Sequence, residues 1–147
     1  MRTILLCLSL FPCFAFTSCS LTATGYPVAG PAAKTGEILK AKFTYNGFGT
    51  GTVSVTLPSG EYCKGPYSTV VGGVMSSDVL SWGSESGVIS GAVVSSGGIN
   101  GLQTTRAVLV GDRGSIIDVE GYTSGASPTH GFGKAKDNKG SVWKLIW

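Results

Sequence analysis

The chain has 147 residues and a formal net charge of +3, and charged side chains make up only 13% of it. That length is enough for one domain with a buried core and too short for two domains of ordinary size. The charge is also too small and too scattered to form the dense basic face that nucleic acids require, so we expect no nucleic-acid partner. The 23 glycines favour short strands and turns over long charged helices.

The first 18 residues have the organisation of an export signal. One positive charge, on Arg2, precedes a nearly continuous apolar run over residues 4–16. Those 13 residues match the apolar region of a signal peptide, whereas a membrane-spanning helix needs roughly 20. We therefore predict that residues 1–18 are a signal peptide that is removed from the mature protein.

The signal ends in Phe16-Thr17-Ser18-Cys19, which resembles the lipobox of bacterial lipoproteins. Ser18 is the small residue that the motif needs before the cysteine, and Phe16 replaces the usual leucine. The resemblance implies that the Cys19 thiol receives a diacylglyceryl group, that a dedicated peptidase cleaves before Cys19, and that the new amino group becomes a further acylation site. Cysteine suits this chemistry because its thiolate is the nucleophile that is alkylated. Ser20 is not an aspartate, which by resemblance to enteric sorting signals favours the outer membrane.

Two other fates of the leader stay open on the sequence. An ordinary secretory signal would be cut by the general signal peptidase, which prefers an A-x-A-like site, and Leu21-Thr22-Ala23 matches that site weakly. An uncleaved leader would remain as an apolar anchor. If cleavage precedes Cys19, Cys63 is the one unmodified thiol of the mature chain, and we predict that it is buried as a small apolar residue.

Residues 19–36 predict a lipidated, flexible tether. They show neither a strand period nor a helix period, and Pro27 and Pro31 interrupt any helix. A flexible coil of this length would reach roughly 20–25 Å, so we expect the folded body to lie just off the bilayer.

Residues 37–147 show short strands separated by turns. The clearest strand covers residues 52–57, where Val53, Val55 and Leu57 alternate with threonine and serine. Turn residues recur at short intervals along the rest of this region. The sequence therefore predicts an all-β domain over residues 37–147, a small antiparallel barrel or sandwich of about seven short strands with room for one short helix.

The last third of the chain contains two predicted hairpins, with turns at residues 111–114 and 137–140. The final strand places Trp143, Leu145 and Trp147 on one face, which we predict faces the core. The strand before it has small residues on one face, which leaves room for an aromatic side chain to pack against its backbone: Gly131, Gly133 and Ala135.

Residues 72–101 are the least regular part of the domain. Ser76-Ser77-Asp78 predicts the cap of a short helix. The β-branched residues that follow it predict a strand interrupted by Gly91.

Four short motifs in the second half carry a further resemblance: Gly111-Asp112-Arg113-Gly114, Glu120-Gly121-Tyr122, His130-Gly131-Phe132-Gly133 and Asp137-Asn138-Lys139-Gly140. Together they resemble the C-terminal half of small envelope lipoproteins of Gram-negative bacteria. The resemblance covers about half of the chain and brings no activity and no functional residues with it.

Few residues have the chemistry of a catalytic or metal site. His130 is the one histidine, and paired metal-ligand spacing is missing. Cys63 with His130 is the one available pair of nucleophile and base, and its surroundings match no protease motif. Asp118 and Glu120 share a face of a predicted strand, as a glycosidase pair could, but the alternate face is apolar and we interpret them as its solvated side. We predict no catalytic, cofactor-binding or metal-binding residue.

We therefore expect a lipid-anchored cell-envelope protein that faces the periplasm from the outer membrane. It would be a non-catalytic binding or structural module, attached to the membrane through acyl groups on Cys19, whose partner is an envelope protein or glycan. One alternative is a small integral outer-membrane barrel, indicated by the alternation that ends at Trp147, although most of the predicted strands are shorter than the roughly 9–11 residues needed to span. The other alternative is an enzyme that acts on envelope polymers.

Overall fold

A computed structural model of the chain describes residues 19–71, 102–124 and 129–147. Within these residues the chain forms eight β-strands and one short helix. Their bounds are β1 Ser20–Ala29, α1 Pro31–Thr35, β2 Leu39–Gly47, β3 Thr50–Thr56, β4 Tyr62–Val71, β5 Leu102–Gly111, β6 Ile116–Ser124, β7 Gly131–Asp137 and β8 Val142–Ile146. In this part of the chain no helix is both long and apolar enough to cross a membrane. The helix predicted to begin near Ser76 lies outside the described residues.

The eight strands close into one antiparallel barrel. Each strand pairs with the next in sequence, and β1 also pairs with β8, for example at Thr24 and Ile146. The all-β prediction is confirmed, and of the two predicted architectures the barrel is the one that forms. The barrel has one strand more than the approximate count from the sequence, because β1 comes from the stretch predicted to be a tether.

The prediction of a flexible tether over residues 19–36 is wrong. Ser20–Ala29 is hydrogen-bonded to β2 on one side and to β8 on the other. The small residue Gly25 is needed there, because a Cβ atom would lie 2.9 Å from Leu39 and 3.0 Å from Leu145. Pro27 is tolerated where the register between β1 and β8 shifts, and Pro31 begins α1, where a missing N–H removes no helical hydrogen bond. The folded body therefore begins at Ser20 and not at residue 37.

The strands alternate between an apolar interior and an exterior on which polar and charged side chains are mixed with exposed apolar ones. In β3, for example, Val53 and Val55 are buried while Thr52 and Ser54 lie outside. The inward side chains fill the barrel as one core: Ala23, Leu39, Ala41, Phe43, Val53, Val55, Leu57, Cys63, Ala107, Leu109, Ile117, Val119, Ala135, Trp143 and Leu145. Eight strands enclose an interior that side chains can just fill, and this barrel follows that rule.

Trp147 packs against the glycine-rich face that the sequence predicts. A Cβ atom on Gly131 would lie 2.4 Å from Cζ2 of the indole ring, and one on Gly121 would lie 2.9 Å from Cη2. The ring also lies 5.9 Å from that of Phe43, centroid to centroid. The predicted contact between an aromatic side chain and bare backbone is therefore confirmed.

One end of the barrel, called here the turn end, is built from three turns of the same geometry. They cover residues 57–61, 111–115 and 137–141, and the fourth residue of each is a glycine with φ between 78° and 89°. In each turn the first residue donates its N–H to the carbonyl of the fifth. The helix α1 lies at this end too, where the Ala32 N–H donates to Ser141 Oγ over 3.4 Å.

The opposite end, called here the Cys19 end, is where β1 starts and the β2–β3 hairpin turns. Cys19, Phe48 at the tip of that hairpin, and Val71 at the end of β4 belong to it. The two ends therefore differ in composition, and the candidate functional residues are divided between them.

Candidate functional site

Cys19, the predicted lipid-attachment residue, lies at the edge of the barrel and is exposed. It immediately precedes β1, whose first residue, Ser20, pairs with Thr44 of β2. The Cys19 carbonyl accepts a hydrogen bond from the Tyr45 N–H over 3.2 Å. The thiol is thus accessible to a modifying enzyme, while the backbone on its carboxyl side is already fixed to the sheet.

The outer wall of the barrel carries more positive than negative charge. Along the eight described strands, the outward ionisable residues are seven cations and two anions: Lys40, Lys42, Lys64, Arg106, Lys134, Lys136 and Lys144, with Asp118 and Glu120. Cross-strand pairing sets opposite charges beside each other, because Glu120 lies between Arg106 and Lys134 and Asp118 is opposite Lys136. Such pairs stabilise a sheet locally, and the excess of cations gives the wall a net positive charge that favours an anionic partner.

An open groove of about 750 Å³ crosses this wall over β4 to β7. Pro66 and Val108 provide apolar surface in it, and Arg106, Asp118 and Lys136 provide charge. Arg106 is two-thirds exposed and bonds Glu120 through Nη2 and Oε1 at 3.1 Å. The groove therefore combines apolar contact area with directed hydrogen-bond donors and acceptors, as surfaces that recognise polar partners do.

Asp118 and Glu120 share the outer face of β6, as predicted, while Ile117 and Val119 between and beside them are buried. The interpretation of these carboxylates as the solvated face of a half-buried strand is confirmed. Each carboxylate has a cationic residue as its cross-strand neighbour, Lys136 for Asp118 and Lys134 for Glu120.

Cys63 and His130 do not meet. Cys63 is completely buried inside the barrel near the turn end, and burial raises the pKa of its thiol, with Glu61 and Asp112 contributing in the same direction. His130 is exposed just before β7, at the Cys19 end, where its Nδ1 lies 3.0 Å from the hydroxyl oxygen of Thr129. The prediction that Cys63 is a buried apolar residue is confirmed. Cys63 and His130 lie at opposite ends of the barrel and do not form a nucleophile–base pair.

Glu61 is a buried carboxylate that sequence reasoning missed. Its Oε1 accepts hydrogen bonds from the backbone N–H groups of Ser115 and Arg113, at 2.8 and 3.1 Å, and its Oε2 accepts from the Ser115 hydroxyl at 2.7 Å. Lys139 Nζ lies 4.0 Å from Oε2. The bonds from Ser115 are the main reason that the pKa of Glu61 is below its usual value.

Those contacts tie the three turns of the turn end together. Glu61 belongs to the first turn, Ser115 and Arg113 to the second, and Lys139 to the third. Glu61, Ser115 and Ser141 each occupy the fifth position of their turn, and all three are buried. Aligning the three turns by their glycines is the one sequence signal that could have singled out this position. The carboxylate is held by its structural hydrogen bonds and is not aimed at a substrate.

Within the described residues, no three His, Cys, Asp or Glu side chains lie close enough to hold a metal ion. Comparison with known protein families, with curated proteins and with solved structures finds no match. The described residues form a filled, eight-stranded antiparallel barrel with an exposed cysteine immediately before its first strand.

Proposed function

We propose that this protein is a lipid-anchored component of the bacterial cell envelope, a non-catalytic binding or structural module attached through acyl groups on Cys19. One observation carries the proposal: Cys19 is exposed immediately before the first barrel strand and directly follows an apolar leader that ends in Phe16-Thr17-Ser18. Because β1 begins one residue after this cysteine, the proposed cleavage site before Cys19 lies outside the strand.

Acylation would fix the barrel to a membrane without a spanning helix. Each buried methylene contributes about 0.8 kcal/mol, so two or three acyl chains anchor stably where one binds only marginally. Because Ser20 already belongs to β1, no tether separates the anchor from the barrel. The barrel itself would therefore lie at the membrane surface, with its wall facing the periplasm.

The outer wall supplies a surface for a partner. Its excess of lysine and arginine favours an envelope protein or glycan that carries anionic groups, and the groove beside Arg106 supplies apolar area from Val108 and Pro66. This is the face where we expect binding, and no catalytic step is required of it.

A barrel that spans the outer membrane needs lipid-facing side chains that are apolar, since a charged side chain at the bilayer midplane is costly. Here Lys42, Arg106 and Lys136 point outward, so the wall carries charge between its exposed apolar side chains. The interior is filled by an apolar core. That orientation favours a lipid-tethered module over a spanning barrel.

Metabolic labelling with an alkyne analogue of palmitate tests the proposal. We expect the wild-type chain and the control variant Cys63→Ala to be labelled, and Cys19→Ser to be unlabelled, when all three are made in a Gram-negative host. Cys63→Ala is a suitable control because it removes the other thiol of the barrel and leaves the anchor site intact. Equal labelling of Cys19→Ser and wild type, or labelling of none of them, would refute the anchor.

A further inference from the structure

Among the described residues, the two ends of the barrel differ sharply in charge. The charged residues of the turn end and α1 include Lys34, Glu61, Asp112, Arg113, Asp137 and Lys139. At the Cys19 end no Asp, Glu, Lys or Arg occurs among the described residues 19–22, 44–51, 68–71, 102–104, 122–124 and 129–131. Bringing an ionised side chain against hydrocarbon is strongly unfavourable. Among the described residues, those of the Cys19 end can therefore approach a bilayer core without that cost, whereas those of the turn end cannot.

Phe48 projects from this end at the tip of the β2–β3 hairpin. Its side chain is fully exposed, at 103%, and its φ of 53° lies in the left-handed region that non-glycine residues rarely adopt. The hairpin is nevertheless well fixed, because Thr69 N–H donates to the Gly49 carbonyl over 2.7 Å and Thr50 Oγ1 donates to the Gly47 carbonyl over 2.8 Å. A rigid turn that holds a large aromatic ring in water under backbone strain indicates a role for that ring outside the folding of the barrel.

Further apolar surface surrounds Phe48. Tyr45 is half exposed, and its hydroxyl accepts a hydrogen bond from the Gly49 N–H over 3.4 Å. Val70 and Val71, the last residues of β4, are 57% and 78% exposed. The Tyr45 N–H donates to the Cys19 carbonyl, so Tyr45 and the exposed Cys19 are neighbours at this end of the barrel.

We propose that the Cys19 end lies flat against the lipid bilayer, with Phe48 inserted among the acyl chains beside the lipid carried by Cys19. The inference rests on the proposed acylation of Cys19 and adds to it the orientation of the barrel and a second membrane contact. Phe48 and Tyr45 form the membrane-contacting patch, and the charged turn end points away from the membrane.

The path of the chain favours a bilayer as the occupant of this surface. In the sequence the apolar residues 4–16 lie shortly before Cys19, so an apolar segment precedes this end of the barrel before cleavage, and the proposed lipid takes its place afterwards. One residue of chain spans at most about 3.6 Å, and Ser20 is already paired in the sheet. An acylated Cys19 would therefore hold the Phe48 hairpin within reach of the membrane.

Quenching by brominated lipid tests this orientation. The acylated protein is reconstituted into vesicles of phosphatidylethanolamine and phosphatidylglycerol, with and without bromine on the acyl chains. Phe48→Trp is compared with Val110→Trp, which replaces another exposed apolar side chain, on β5 near the turn end. The tryptophans already present are common to both variants, so subtracting the wild-type emission isolates the added ring.

We expect bromine to quench the emission added by Phe48→Trp by roughly twofold or more, since a ring buried 5–10 Å below the surface contacts the labelled chains. The emission added by Val110→Trp should not change. Tyr45→Trp, which leaves the hairpin tip intact, provides a second probe of the same surface if Phe48→Trp folds poorly, and circular dichroism checks the fold of each.

The possible outcomes separate the orientation from the anchor. An intact mass that includes acyl groups, together with unquenched Phe48→Trp and Tyr45→Trp, overturns the orientation and leaves the anchor standing. Equal quenching of Phe48→Trp and Val110→Trp overturns it as well, because the barrel would then lie on its side. In detergent micelles, the tryptophan of Phe48→Trp could also lose its exposure to water as the protein concentration rises. That result would assign this surface to a second copy of the chain instead. A mass without acyl groups refutes the anchor, and quenching then still decides whether this end contacts lipid.

Discussion

The contact between Trp147 and the glycine face predicts a specific coupling between two substitutions. A Cβ atom on Gly121 would lie 2.9 Å from Cη2 of Trp147, and its next nearest neighbours, at 3.7 and 3.8 Å, are atoms of the same ring. Gly121→Ala therefore overpacks against one side chain and against no backbone. We expect Gly121→Ala to be destabilising while Trp147 is present.

The magnitude follows from two opposing effects. Overpacking in a well-packed core typically costs about 1–3 kcal/mol, and the half-buried ring can move, so we take about 1.5 kcal/mol. Alanine also restricts the unfolded chain more than glycine does, which contributes about 0.5 kcal/mol in the other direction. Gly121→Ala alone should thus lose about 1 kcal/mol, and in a Trp147→Leu background it should gain about 0.5 kcal/mol.

Urea unfolding followed by far-ultraviolet circular dichroism measures all four members of this cycle, and the expected coupling of about 1.5 kcal/mol exceeds the usual non-additivity of distant sites. Gly131→Ala is the matched control. Its Cβ atom would meet the Tyr122 carbonyl at 2.6 Å as well as the indole ring, so it should remain destabilising after Trp147→Leu. If Gly121→Ala costs the same in both backgrounds, Trp147 does not pack on Gly121 as described.

Three further predictions concern ionisable and thiol groups. The pKa of Glu61 is lowered in the fold from its ordinary 4.5, so the ionised carboxylate stabilises the protein above that pH and this effect is lost as the pH falls below it. The urea midpoint of the wild type should therefore drop more steeply between pH 6 and pH 3 than that of Glu61→Gln. Equal slopes would contradict the contacts assigned to Glu61. The buried Cys63 thiol, with its raised pKa, should resist maleimide in the folded protein and react after unfolding in urea, as mass spectrometry can follow, and rapid native labelling would show an open barrel. Arg106→Ala removes an exposed ion pair with Glu120 and should change stability by less than about 1 kcal/mol in thermal melts, so a larger loss would mean that the pair is structural.

Alternation and turn chemistry in the sequence predict most of the barrel. Val53 and Val55 in β3, and Trp143 and Leu145 in β8, point inward as their spacing indicates. The turns at residues 111–114 and 137–140 are found where glycine and aspartate predict them. These features are local, since each depends on residues a few positions apart.

The strand β1 could not be predicted from its own residues. Ala23 and Gly25 are poor strand formers, and Gly25 is needed because the closing strand passes close to side chains of β2 and β8. That requirement comes from the closure of the barrel, which joins residues more than one hundred positions apart. The hydrogen bonds of Glu61 are non-local in the same way, because they connect two turns that are distant in sequence.

The same difference between local and non-local features applies to the candidate site. The apolar leader and the cysteine motif are local patterns, so Cys19 could be proposed from the sequence alone. The exposed Phe48 hairpin beside Cys19 could not, because only the pairing of β1 with β2 brings the two together.

Intact-protein mass spectrometry of the protein purified from membranes tests the lipid anchor most directly. We predict a chain that begins at Cys19 and is heavier than residues 19–147 by a diacylglyceryl group, with or without one more acyl chain. A mature chain that starts at another residue, or that carries no added lipid mass, would contradict the account.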